Sequence, residues 1–152
     1  MLKWLDRCLR AIIIVLFSLV VIITLVQVIS RHLSIPIQGT DETVRFLFIW
    51  LVFIGIAYGM KEKVHIAVDF LNDKFSTGVQ FVINILIYLL MIFYAVVLIY
   101  FGIEVTKVMH LQFAPISRIP MSYIFAAIPV GSTLLLLYIL IDLKNLLKER
   151  RG

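Results

Sequence analysis

Residues 41–69 read DETVRFLFIWLVFIGIAYGMKEKVHIAVD, and the fold class follows from that stretch. An acidic pair, Asp41 and Glu42, meets Arg45 at the mouth of an apolar run over 46–60. The run carries Trp50 and a Gly55-x-x-x-Gly59 pair, then opens into Lys61, Glu62, Lys63, His65 and Asp69. A soluble protein rarely sets an unbroken apolar run between two charge clusters. A membrane helix with an ionic collar at each end has this pattern, because charges are expensive in hydrocarbon and favourable at its borders.

The rest of the chain agrees. Of its 152 residues, 62% are hydrophobic, and the mean hydropathy is +1.09. Soluble domains average about 45–50% apolar residues. The sequence therefore predicts one all-α integral membrane domain over residues 1–152, with four transmembrane helices. The spans are expected at about 11–29, 43–60, 79–103 and 121–141, with a short interfacial amphipathic helix within 61–78. Cys8 is the one cysteine, so no internal disulfide can form. The net charge of +5 is not a nucleic-acid signal, since the basic residues gather at chain ends and in one loop as topology determinants do.

Working outward, residues 1–10 place Trp4 among Lys3, Arg7 and Arg10, an interfacial lead-in to the first span. No small-x-small site follows that span, which predicts a retained signal anchor rather than a cleaved peptide. Thr24, Gln27 and Arg31 share one of its faces, as interhelical hydrogen-bonding groups would. Pro36 and Gly39 break the chain before the second span, and Thr40 is a candidate cap with Asp41 and Glu42 in the first turn. Glu42 and Arg45, three apart, are expected to pair. The glycine pair leaves a flat face for a close helix. In 61–78, His65, Asp69, Asn72 and Ser76 fall opposite Val64, Ala67, Val68, Leu71 and Phe75, the pattern of a helix lying at an interface. His65 and Asp69 have ligand-like spacing, but no further ligands stand nearby, so no metal site is expected.

The third helical pattern runs from 79 to about 113. At about 1.5 Å per residue it is roughly 50 Å long, against a hydrocarbon thickness of about 30 Å. It must tilt or protrude. Gln80, Asn84 and Tyr88 form a polar stripe at its start, read as packing contacts. Pro115 and Pro120 bound a loop, and Pro129-x-Gly131 is expected to kink the fourth span. Ten of the 14 Lys and Arg lie in 1–10, 61–78 and 142–152, and four in 30–45 and 104–120. The positive-inside rule puts both termini and the middle loop in the cytoplasm.

Apart from Arg45 at the mouth of the second span, the four spans hold no Asp, Glu, Lys, Arg or His. Proton relays and ion pathways usually need such groups. No nucleophile–base set, phosphate loop or metal cluster is present, so the chain does not read as an enzyme and no cofactor is expected. The pattern suits a protein that works by contact with other proteins.

The acidic pair, Arg45, Trp50, Gly55 and His65-x-x-x-Asp69 together resemble the small membrane subunit of tripartite ATP-independent periplasmic (TRAP) transporters. Chain length, the four spans and the Pro120 loop fit as well. The sequence departs from that family at Lys63-Val64, where a glycine often precedes the histidine, and at Gly39-Thr40, where a tryptophan often precedes the acidic pair. The resemblance implies a bacterial inner-membrane subunit of a sodium-driven importer of organic acids, such as sialic acid or C4-dicarboxylates. Its implied partners are the bilayer, a large membrane subunit that moves the substrate, and a periplasmic binding protein that delivers it. The small subunit would brace the large one and help dock the binding protein. Asp41, Glu42, Arg45, Trp50, Gly55, Gly59, His65 and Asp69 are then expected at subunit contacts. Gln38, Asp41, Lys107, His110, Gln112 and Arg118 are expected to meet the binding protein. A stand-alone four-helix carrier, which would need a polar pathway, is the alternative. A membrane enzyme would have only His65 and Asp69 to work with.

Overall fold

The computed structural model describes residues 3–35, 37–72 and 77–149, with 3, 61–72, 77–78 and 149 described by backbone alone. Five α-helices follow one another: α1 (Lys3–His32), α2 (Thr40–Asn72), α3 (Thr77–Val108), α4 (Ser122–Phe125) and α5 (Ala127–Glu149). Four segments are long and apolar enough to cross a membrane: Trp4–His32, Thr40–Met60, Val79–Leu111 and Ser122–Lys148. The chain is an all-α, multi-pass membrane protein, as its composition predicts.

Helix boundaries follow local chemistry. At the end of α1, Ser34 adopts φ 57°, its N–H bonds the Arg31 carbonyl at 3.2 Å, and the Ile35 N–H reaches back to Ser30 at 3.0 Å. This is a Schellman closure with serine in the left-handed position usually given to glycine. Thr40 does not cap α2 as expected; its hydroxyl donates to the Ile37 carbonyl at 3.0 Å. Gly39 takes that place through its backbone. It sits at φ +87°, and its carbonyl accepts the Thr43 N–H at 3.1 Å.

Residues 61–72 are helical, but as the continuation of α2 rather than as a separate element. The shift from apolar to charged residues at Lys61 marks a change of surroundings. It does not break the i→i−4 hydrogen-bond ladder, which needs no particular side chain. The third helical pattern reaches Leu111, its last turn tightening to a 3₁₀ helix over Met109–Leu111. The helix is interrupted ahead of Pro129, at Ala126, between α4 and α5. Proline has no N–H, so the bond lost is the one to the residue four back, and the ladder opens a turn upstream.

The helices form a single layer rather than a closed bundle. The central helix is α5, with α2 packed on one side and α3 on the other, and α1 packs on the outer flank of α2. In its most apolar stretch, the Ser122–Lys148 span is 39% buried and the Trp4–His32 span 0%. Ala57, Met60, Tyr88, Ala95, Leu135 and Ile139 form the seam of α2, α3 and α5. Leu9, Ile54 and Tyr138 join α1, α2 and α5. Small residues let backbones come close, which is how helices associate in lipid, where the hydrophobic effect does not drive them together. Two glycines mark the closest approaches. A Cβ on Gly131 would lie 2.7 Å from the Phe53 Cβ and 2.8 Å from the Phe53 carbonyl oxygen, and one on Gly102 would lie 3.0 Å from the Pro129 Cδ.

Candidate functional site

The candidate site is the end of the layer where α1 meets α2 and α3 turns into α4. Residues 112–121 form a small hairpin there. Phe113 and Pro120 pair in an antiparallel bridge. The Ala114 N–H bonds the Ile119 carbonyl at 2.9 Å, and the Met121 N–H bonds the Gln112 carbonyl at 2.8 Å. Arg118, at φ 57°, turns the chain at the tip.

Glu42 holds this hairpin to α2. Its Oε2 accepts the Ser117 backbone N–H at 2.9 Å, and the residue is only 8% exposed. Its Oε1 is buried without a hydrogen-bond partner. The expected Glu42–Arg45 pair is not formed: the arginine side chain is exposed, and among the described residues no ion pair joins the two. A buried carboxylate needs hydrogen-bond donors, and the first turn of α2 favours a carboxylate there. Those two demands turn Glu42 toward Ser117. Asp41, one residue earlier, faces the other way and accepts a hydrogen bond from the Gln27 side-chain amide of α1. Thr24, Gln27, Arg31, His32 and Asp41 line a polar recess of about 650 Å³ beside it. The Trp50 indole donates to the Tyr123 carbonyl at 3.2 Å, tying α2 to α4.

Gly55 and Gly59 carry no packed helix. Among the described residues nothing lies within 4 Å of a Cβ built on either. They line an apolar groove of about 800 Å³, with Leu90, Met91 and Tyr94 of α3 opposite and Leu135 and Ile139 of α5 also in its lining. His65 and Asp69 lie on the α2 backbone, and their side chains fall outside the described residues. From Asp41 to Asp69 the helix rises roughly 42 Å, so the two ionic collars stand at opposite ends of α2 and form no joint site.

Of the residues expected to meet a binding protein, all six are exposed at the hairpin end. Three have partners within the chain. Asp41 meets Gln27, Lys107 pairs with Glu104 at 2.9 Å, and the His110 Nδ1 lies 3.3 Å from the Ser122 hydroxyl. The side chains of Gln38, Gln112 and Arg118 make no such contact among the described residues. At the far end, the Arg10 guanidinium bonds the Tyr58 hydroxyl at 2.9 Å, and the Tyr138 hydroxyl donates to Asp6 at 2.7 Å. Sequence reasoning missed those ties, together with Gly102 and Ser117. Tyrosines set across from an N-terminal Asp and Arg were the available signal.

Residues 20–149 match the family described as "Tripartite ATP-independent periplasmic transporters, DctQ component". Among curated relatives, the chain is 25% identical over 122 residues to the sialic acid TRAP transporter permease protein SiaT of Haemophilus influenzae. That match takes in 80% of this chain but 20% of SiaT, so the chain spans about a fifth of that relative. Two TRAP transporter small permease proteins of Haemophilus influenzae match along most of their length. One is 26% identical, covering 86% of this chain and 82% of the relative. The other is 27% identical, covering 86% and 79%.

Proposed function

The chain belongs to the DctQ family of TRAP transporter components, and we propose that it is the small subunit of a sodium-driven importer of organic acids such as sialic acid or C4-dicarboxylates. In this reading it sits in the bacterial inner membrane with both termini cytoplasmic, as the Lys and Arg distribution favours. The hairpin end then faces the periplasm. The subunit braces the immobile part of the large permease and helps to receive the soluble binding protein.

One observation carries the bracing role. Four spans arranged in a single layer leave both faces apolar and largely uncovered, and the groove at Gly55 and Gly59 is shaped for a helix that this chain does not supply. A layer of this kind offers a flat wall to a larger membrane protein. The relative SiaT supports the substrate class by its name alone.

Reconstitution tests the proposal. Liposomes holding this chain with its large subunit should take up an organic acid when binding protein and an inward sodium gradient are supplied. Liposomes holding this chain alone should take up none. Uptake by the chain alone, or equal uptake by the large subunit without it, overturns the reading.

A further inference from the structure

We infer that the hairpin over residues 112–121 is an apolar docking knob, ringed by unpaired arginines, that fits an acidic face of a soluble protein. The inference rests on the reading just proposed, in which that protein is the binding protein.

The first observation is exposure. Leu111 is 84% exposed, Phe113 58% and Ile116 55%, all at one end of the molecule. The second is position. The Glu104–Lys107 ion pair on α3 has side chains 51% and 67% exposed, and charged groups on an uncovered helix face lie outside the hydrocarbon. Leu111 lies four residues beyond Lys107, roughly 6 Å past that level. Acyl chains do not reach past a hydrated ion pair, so lipid does not cover the knob. Grouped apolar side chains standing in water mark a protein contact.

Charge identifies the partner. Each acidic group at this end is engaged within the chain, Asp41 with Gln27, Glu42 with Ser117 and Glu104 with Lys107, and Glu42 alone of the three is buried. Arg45 and Arg118 are exposed, and among the described residues neither guanidinium makes a hydrogen bond or ion pair. The charge presented outward is therefore positive, and electrostatic complementarity selects an acidic surface. The knob is also held in shape before docking. The Phe113–Pro120 bridge closes it, and Glu42 fixes Ser117 from below. A pre-formed loop loses little entropy when it binds.

The test uses the intact two-subunit complex in nanodiscs and titrates binding protein against Arg118→Glu and Leu111→Ser. Both side chains are exposed, and both variants should co-purify with the large subunit. Arg118→Glu should raise the half-saturating binding-protein concentration about tenfold, since it removes one attraction and adds one repulsion. Leu111→Ser should raise it severalfold, and the wild-type value should rise with salt. An unchanged titration in both variants overturns the inference and leaves the subunit reading standing. A wild-type complex that transports without binding protein overturns the reading beneath it. If the shift appears only in discs containing anionic lipid, the arginines serve headgroups and the inference fails. Loss of the complex in both variants makes the hairpin a subunit contact, which also overturns it.

Discussion

Gly131 is where α5 meets α2 most closely, and Gly131→Ala probes the layer directly. The new methyl carbon would lie 2.7 Å from the Phe53 Cβ and 2.8 Å from the Phe53 carbonyl oxygen. The second neighbour is backbone and cannot rotate away, so the helices must move apart along the seam. Overpacking of this sort costs about 1–3 kcal/mol. Alanine offsets part of it, because it is better than glycine in a helix by about 1 kcal/mol. The net loss is about 0–2 kcal/mol. At about 2–4 °C per kcal/mol for a chain of this size, the melting midpoint should fall by up to roughly 8 °C. Gly55→Ala is the matched control, since among the described residues nothing lies within 4 Å of its added carbon. It keeps the propensity gain without the clash and should melt at or slightly above the wild-type midpoint. The assay is thermal unfolding of the purified chain in detergent, followed by circular dichroism. If Gly131→Ala melts no lower than Gly55→Ala, the packing order argued here is wrong.

Two further outcomes are expected. Glu42→Ala removes the acceptor for the Ser117 N–H, a loss of about 1–3 kcal/mol localised to the hairpin; limited trypsin digestion should then cut after Arg118 faster than in the wild type, while Glu42→Gln, which keeps an acceptor, should stay close to it. A double-mutant cycle of Asp6→Ala and Tyr138→Phe, read by thermal unfolding, should show coupling of about 1 kcal/mol through the hydrogen bond joining α1 to α5, and additive effects would show that the two groups act separately.

The spans were legible because each is an apolar run of sufficient length, and Asn84 and Tyr88 were legible as packing groups because both are buried. The order of the helices was not. In a soluble helix the buried face is the apolar one, and periodicity points to the core. Here the uncovered face is as apolar as the packed one, so that contrast vanishes and nothing in the pattern says that α5 is central. The glycines show the same difficulty. Gly55 and Gly59 carry a recognisable spacing and pack against nothing among the described residues, whereas Gly102 and Gly131 carry none and make the close contacts. Glu42 was read against its sequence neighbour Arg45, although its partner is Ser117, at |i−j|=75. Only the fold brings that backbone N–H within reach.

A layer of helices in lipid lacks the force that closes a soluble core, so specific ties must fix its geometry. They occur at three levels. At the end with the termini, Arg10 meets Tyr58 and Tyr138 meets Asp6. In the middle, alanines and Gly131 let the helices touch. At the hairpin end, Gln27 meets Asp41, Trp50 meets Tyr123 and Glu42 meets Ser117. All the polar ties cross between elements, and those of Asp6, Arg10, Asp41 and Glu42 place a charged group near a helix end, where water or the helix dipole eases its desolvation. The middle of the layer is left to small and apolar residues. That division keeps charge out of the hydrocarbon zone while still fixing the register of every helix pair. Among the described residues it also leaves the apolar helix faces and the rim at the hairpin end uncovered.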